Sequence, residues 1–324
     1  MKTKIQDMTS GSPGRLIILF AIPLMLGNIC QQLYTMVDTM VVGQIAGVEA
    51  LAALGAVDFL LWVVTGISTG LTQGFSIQLA QYYGAKDFEN LRKSLAHSYR
   101  LTAFIAVGVF ILSQSFAALV LTGLHTPSNI IGMSLLYLRI IFCGIPATAA
   151  YNMFAAALRA MGNSKTPLSA MIIASVLNIS LDILFVAGFG WGVAGAAIAT
   201  VIAQSFSAVY CFLILRRIDI VHLSRADFMT AAGMNARLMK LGIPVVFQNI
   251  IIGVGGLVVQ YVINGYGFLF LEKIFSHFSS QVNRSRHRRY LQLLLNTFLL
   301  WLPCSGCCTS CMCTDLHCRD WEIR

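Results

Sequence analysis

Apolar residues fill most of the first 266 positions in long unbroken stretches, without the alternation of a half-buried strand or the narrow stripe of a surface helix. Stretches near 15–43, 51–83, 98–124, 129–158, 165–189, 191–217 and 238–266 are each long enough to cross about 30 Å of hydrocarbon, which takes roughly 20 helical residues. The pattern predicts seven transmembrane helices. His125-Thr126-Pro127-Ser128-Asn129 breaks the third from the fourth, and Gly188-Phe189-Gly190-Trp191-Gly192 breaks the fifth from the sixth. The first stretch begins at Leu16, runs too long for a signal-peptide core and lacks a small-residue cleavage site, so it is expected to remain in the protein.

Composition agrees: 57% hydrophobic and 11% charged residues in a chain of 324 are too apolar for a surface facing only water. The expected fold is an all-α polytopic membrane helix bundle. A formal charge of +9 raises the question of nucleic acid, but the basic residues are scattered between apolar stretches and make no stripe with interleaved aromatics, which excludes that partner. Neither a Gly-x4-Gly-Lys-Ser/Thr loop nor a Gly-x-Ser-x-Gly elbow is present, so an enzyme built on either is not indicated. The expected partners are membrane lipid and small molecules, with no cofactor and no protein partner.

Lysine and arginine set the orientation, because basic loops are retained on the cytoplasmic side. Lys2, Lys4 and Arg15 precede the first stretch. Lys86, Arg92, Lys93 and Arg100 lie between the second and third, and Arg159 and Lys165 between the fourth and fifth. Arg216, Arg217, Arg225, Arg237 and Lys240 surround the link from sixth to seventh. The alternate loops near 44–50, 125–128 and 188–192 hold no lysine or arginine. A multi-pass protein of the cytoplasmic membrane with a cytoplasmic amino terminus follows.

The chain divides into a segment 1–14, a six-helix lobe 15–217, a polar linker 218–237, the first helix of a second lobe 238–267, and a tail 268–324. Leu241-Gly242-Ile243-Pro244-Val245-Val246-Phe247-Gln248-Asn249 echoes Phe20-Ala21-Ile22-Pro23-Leu24-Met25-Leu26-Gly27-Asn28, with proline five residues before asparagine in both. The seventh stretch thus reads as a repeat of the first, entering from the same side, as in the parallel repeats of some transporters.

Charges inside a membrane span cost a few kcal/mol or more and need a reason. Asp58, near the neutral end of the second stretch, is within reach of water. Asp38 lies about five residues, roughly 8 Å, from the end of its helix, and Asp182 about six residues, roughly 9 Å, from its own, so the two carboxylates are level. Asn178 shares a helix face with Asp182, and Ser175 extends it. Gln31, Tyr34 and Arg139 complete the candidate cavity, with Arg139 either snorkelling outward or pairing with an aspartate. In a poorly hydrated cavity a carboxylate is able to take up a proton near neutral pH, and with the oxygens of Asn178 and Ser175 the same group suits a hard cation such as sodium. Pro23 and Pro146 permit bends, and the small residues of Val193-Ala194-Gly195-Ala196-Ala197-Ile198-Ala199-Thr200 suit close helix packing.

The run Gly11-Ser12-Pro13, then Phe20-Ala21-Ile22-Pro23, Gln31-Gln32-Leu33-Tyr34, Val37-Asp38-Thr39 and Val42-Gly43 resembles the opening of multidrug and toxic compound extrusion (MATE) transporters of the DinF-like branch. Ala156-Ala157-Leu158-Arg159-Ala160-Met161-Gly162-Asn163-Ser164-Lys165-Thr166-Pro167 and Leu177-Asn178-Ile179-Ser180-Leu181-Asp182 continue it, over about residues 8–267. The resemblance implies two six-helix lobes in a V-shaped bundle of the bacterial inner membrane, exporting cationic or amphipathic compounds in exchange for protons or sodium. Its first-lobe cation site carries over onto Asp38, Asn178 and Asp182. The alternatives are a flippase for lipid-linked saccharides on a related fold, for which one arginine is a sparse basic cavity, and an intramembrane aspartyl hydrolase, for which no Gly-x-Gly-Asp context exists.

The resemblance stops after Gly267. The tail holds six cysteines between Cys304 and Cys318 and the cluster Arg284-Ser285-Arg286-His287-Arg288-Arg289. Cys304-x2-Cys307 and Cys308-x2-Cys311 suggest zinc, but no folding loop separates the pairs. A genuine tail with a short eighth span over Tyr290 to Leu302 is a second reading. The third is out-of-frame translation: with suitable codons, Leu300-Trp301-Leu302-Pro303 read one base away gives Ala-Met-Val-Thr. On that reading the chain is a truncated, non-functional product.

Overall fold

A computed structural model of the chain describes residues 13–228 and 233–265. The tail with its cysteine and arginine clusters, the eighth-span and zinc readings, and Lys2 and Lys4 all lie outside the described residues. Eight α-helices follow in order: α1 Pro13–Ile45, α2 Val48–Gly84, α3 Phe88–Gly123, α4 Ile131–Cys143, α5 Ile145–Ala160, α6 Lys165–Asp182, α7 Gly192–Leu215 and α8 Met234–Gly265. No strand occurs among the described residues. All seven expected stretches are helical. α2, α3, α6 with the turn that follows it, α7 and α8 are each long and apolar enough to span a membrane, and α4 with α5 makes one further span bent by 47°. The 33-residue α1 runs continuously through Pro23 and carries Gln31, Gln32, Tyr34 and Asp38. Large apolar side chains such as Phe104, Leu119, Val176 and Ile251 stand exposed on the outside, as lipid contact requires.

Three boundaries differ from the hydropathy pattern. α3 begins at Phe88, ten residues before the apolar stretch, because Asp87 caps it: its carboxylate accepts from the Asn90 backbone N–H at 3.1 Å and side-chain Nδ2 at 2.7 Å. Lys93 donates to Glu89 at 2.6 Å one turn further on. Arg92 and Lys93 therefore ride on a helix, not a loop. The fourth span breaks at Gly144, where a Cβ would meet Val201 Cγ2 at 2.7 Å. Glycine lets α7 approach, and Pro146 in the first turn of α5 fixes the new direction. Of the stretch read as a linker, residues 218–228 are packed: Ile218 and Val221 join the core, Asp227 accepts from the Ser224 N–H at 2.7 Å and hydroxyl at 2.9 Å, and α8 starts at Met234 rather than 238.

The interior consists chiefly of two apolar clusters. One, around Phe75, Leu79, Leu95, Leu158 and Leu215, lies toward the basic loops; the other, around Val42, Val57, Leu121, Leu138 and Phe142, lies toward the neutral loops. α2 runs through both and packs along α8. At that seam Gly66, Gly70 and Gly74 face Asn249, Val246 and Gly242, and a Cβ on Gly74 would come within 2.3 Å of Gly242 Cα.

Candidate functional site

Three helices each present two polar groups one turn apart: Tyr34 and Asp38 on α1, Asn178 and Asp182 on α6, Thr200 and Gln204 on α7. α1 packs on α6 and α6 on α7, so the six groups converge. The Asp38 charge acts on the Asp182 carboxyl, and both act on the hydroxyls of Tyr34 and of the buried Tyr137 on α4. Tyr34 also lies beside Gln204. The group sits toward the neutral loops, since Val42 and Val186, each one turn beyond an aspartate, belong to the apolar cluster there.

Asp38 is 6% exposed, Asn178 1% and Asp182 0%. Asn178 Nδ2 lies 3.5 Å from Thr200 Oγ1, at the long limit of a hydrogen bond. Five buried acceptor oxygens are left without a partner: Asp38 Oδ1, Asn178 Oδ1, both oxygens of Asp182, and Gln204 Oε1. Bare carboxylate oxygens in an apolar bundle cost several kcal/mol, so the arrangement is tenable only with a proton or a cation among them. Among the described residues no cluster of three or more His, Cys, Asp or Glu occurs, so a thiolate or imidazole metal cage is not what these oxygens resemble. Two carboxylates, an amide oxygen and a hydroxyl suit a proton or a hard monovalent ion.

Asp182 is the last α-helical residue before a π-helical turn, Ile183–Gly188. Such turns widen the helix locally and recur at functional sites. Beyond it Phe185, Phe189 and Trp191 group with ring centroids 5.1–6.0 Å apart, an aromatic anchor at the span's end.

Ser175 is half-buried one turn before Asn178, and its hydroxyl donates to the Met171 carbonyl at 2.8 Å, which leaves only its lone pairs for a ligand. Gln31 is exposed on α1, one turn from Tyr34 and Thr35. Arg139 is exposed on α4 and makes no ion pair with Asp38 or Asp182 among the described residues; its backbone carbonyl accepts from Gln114 at 2.9 Å. Asp58 is exposed, as its position suggested. Sequence reading missed Tyr137, Thr200 and Gln204. For the last two a signal existed, their four-residue spacing within an otherwise apolar helix; nothing marks Tyr137.

These features define a polytopic membrane protein whose helix bundle encloses a buried acidic pair. The MatE family model matches residues 23–184, half of the chain, and the chain belongs to that family, whose members are transporters. It is 31% identical over 264 residues to the probable multidrug resistance protein YpnP of Bacillus subtilis strain 168, covering 82% of this chain and 59% of that one. It is 22% identical over 251 residues to the multidrug export protein MepA of Staphylococcus aureus strain NCTC 8325, covering 76% and 55%. The outward-facing form of a multidrug resistance MATE family transporter of the MOP superfamily superposes with a TM-score of 0.72 at 26% identity, covering 77% of this chain and 56% of that one. A MOP superfamily transporter from Pyrococcus furiosus Vc1, whose reversed binding-pocket polarity is described as suggesting a different function, matches with the same score, identity and coverage. The chain thus spans a little over half the length of the relatives it matches.

Proposed function

We propose that the protein is a cation-coupled antiporter that exports drugs or other cationic and amphipathic small molecules, with Asp38 and Asp182 as the coupling-ion site. The observation that carries this reading is the set of unpartnered oxygens on three helices, with both carboxylates buried. Asn178 supplies a neutral oxygen, and Thr200, on which its amide is oriented, a second. Binding a proton or sodium ion removes the repulsion between the carboxylates and lets α1 close on α6; release restores it. That exchange gives one lobe two states biased by ion binding, which alternating access requires. The basic loops lie in the cytoplasm and the acidic pair in the half of the bacterial inner membrane nearer the outside. The two relatives' names, a probable multidrug resistance protein and a multidrug export protein, support the substrate class.

The test is accumulation of a fluorescent cationic dye in drug-sensitive cells expressing the protein. Asp38→Asn keeps the side-chain shape and removes the charge; it is expected to abolish export while leaving the amount of membrane-inserted protein unchanged. Export retained in full in that variant overturns the assignment. Repeating the measurement in vesicles with an imposed pH gradient, and separately a sodium gradient, identifies the coupling ion.

A further inference from the structure

Most helical serine and threonine hydroxyls described here donate back to a carbonyl three or four residues earlier, as Thr35, Thr65, Ser115, Thr148, Ser180 and Ser205 do at 2.6–3.2 Å. In a membrane helix this is the default, because hydrocarbon offers no other acceptor. Ser94, Ser98 and Thr102 depart from it together. They lie on successive turns of one face of α3, they are 0%, 0% and 8% exposed, and no hydroxyl among them has a partner in the described structure.

Beside them His97, 1% exposed, has Nδ1 against Asn235 Oδ1 at 2.7 Å and Arg100 Nη2 at 3.3 Å, while its Nε2 is unpartnered. Across the first turn of α8, Gln78 on α2 is 1% exposed; its Nε2 lies 3.1 Å from Met234 Sδ and its Oε1 is likewise unpartnered. Met234 and Asn235 are adjacent, so Gln78 and His97 flank one turn of α8. Ser94 is about 9 Å and Thr102 about 21 Å along α3 from its start at Phe88, at 1.5 Å per residue. Polar atoms therefore follow one another from the basic end toward the middle of the membrane.

We propose that this face of α3, with Gln78 and the start of α8, binds a file of ordered water that enters the lobe from the basic end. Five buried groups with a free donor or acceptor need partners that both donate and accept, and water does so at two to four partners per molecule. The Arg100 guanidinium on the imidazole disfavours a cation there, and the Gln78 carbonyl oxygen disfavours an anion. A neutral molecule that gives and takes hydrogen bonds fits both. The file lies on α3 and α8, apart from the acidic pair on α1 and α6, and does not depend on the coupling-ion reading.

X-ray hydroxyl-radical footprinting of the purified protein in micelles tests it, since radicals made from bound water oxidise the side chains beside that water. After correction for intrinsic reactivity, His97 is expected to be labelled within about threefold of His222, an exposed residue outside the spans, although His97 is buried. Met153 and Met161, 1% and 2% exposed in the apolar cluster, are expected to label at least about tenfold more slowly. The double variant Ser94→Ala, Ser98→Ala is expected to reduce His97 labelling and leave His222 unchanged. His97 labelling as slow as Met153 in the unaltered protein overturns the proposal, whether or not the double variant folds.

Discussion

A buried carboxylate without a donor persists in a membrane only if a mobile charge answers it, and Asp38 and Asp182 make that demand in the same place. The roles of the two need not be equal. Asp38 lies on α1, which packs chiefly on α6, whereas Asp182 lies between α1, α7 and the π turn. Asp182→Asn is therefore expected to abolish ion binding, measured by titration calorimetry, and also to raise thermal stability, because it removes an uncompensated charge from a rigid site. Thr200→Val keeps the volume and removes one oxygen. It is expected to weaken coupling-ion affinity about tenfold, in keeping with the ~1–2 kcal/mol of a single polar contact to a charged ligand. Unchanged affinity in that variant removes Thr200 from the site.

At the scale of elements, the α2–α8 seam and the start of α3 carry opposite lessons about small and polar residues. A Cβ at Gly74 would meet the backbone of Gly242, which has no flexible end to move, whereas one at Gly108 in α3 meets nothing within 4 Å. Gly74→Ala is expected to lower stability by about 1–3 kcal/mol by forcing the helices apart, and Gly108→Ala to raise it by about 0.5–1 kcal/mol through helix propensity. Thermal unfolding in detergent reads both. Asp87 owes its capping role to charge as well as shape: hydrogen bonds from the Asn90 side chain and backbone amide hold its carboxyl below the ordinary carboxylate range. A lowered folded value means the cap contributes above the unfolded value of about 4 and is lost as pH falls through the folded one. Protection of the amides in the first turn of α3 against hydrogen exchange is expected to hold from neutral pH down to about 4 and then to drop, and Asp87→Ala to lack it throughout. Hydropathy read residues 86–97 as a loop because they are polar; the cap and the Glu89–Lys93 pair build a helix there instead.

For the whole molecule, the distribution of basic loops makes an orientation experiment decisive. With native cysteines replaced, Ser128→Cys in a neutral loop is expected to react with a membrane-impermeant maleimide in intact cells. Arg217→Cys, at the basic end, is expected to react only after permeabilisation. The reverse pattern inverts the topology and places the acidic pair in the cytoplasmic half. Residues 218–228, next in the chain after α7, pack onto α3 and so belong to the helix bundle.

By itself the sequence determined where the seven helical stretches lie and singled out the two aspartates, because a membrane imposes length and apolarity on every span and makes each intramembrane charge conspicuous. Tertiary structure alone decided which polar groups join them. Whether Thr200 and Gln204 face lipid or Asp182 depends on how α7 is rotated against α6, and that rotation is set by packing at Gly195 against Phe185 and at Gly144 against Val201, contacts between residues distant along the chain or across a turn. The break at Gly144 and the π turn beside Gly195 share that setting: each lies where one helix meets the shape of a neighbour, and hydropathy along a single chain holds no record of a neighbour's shape.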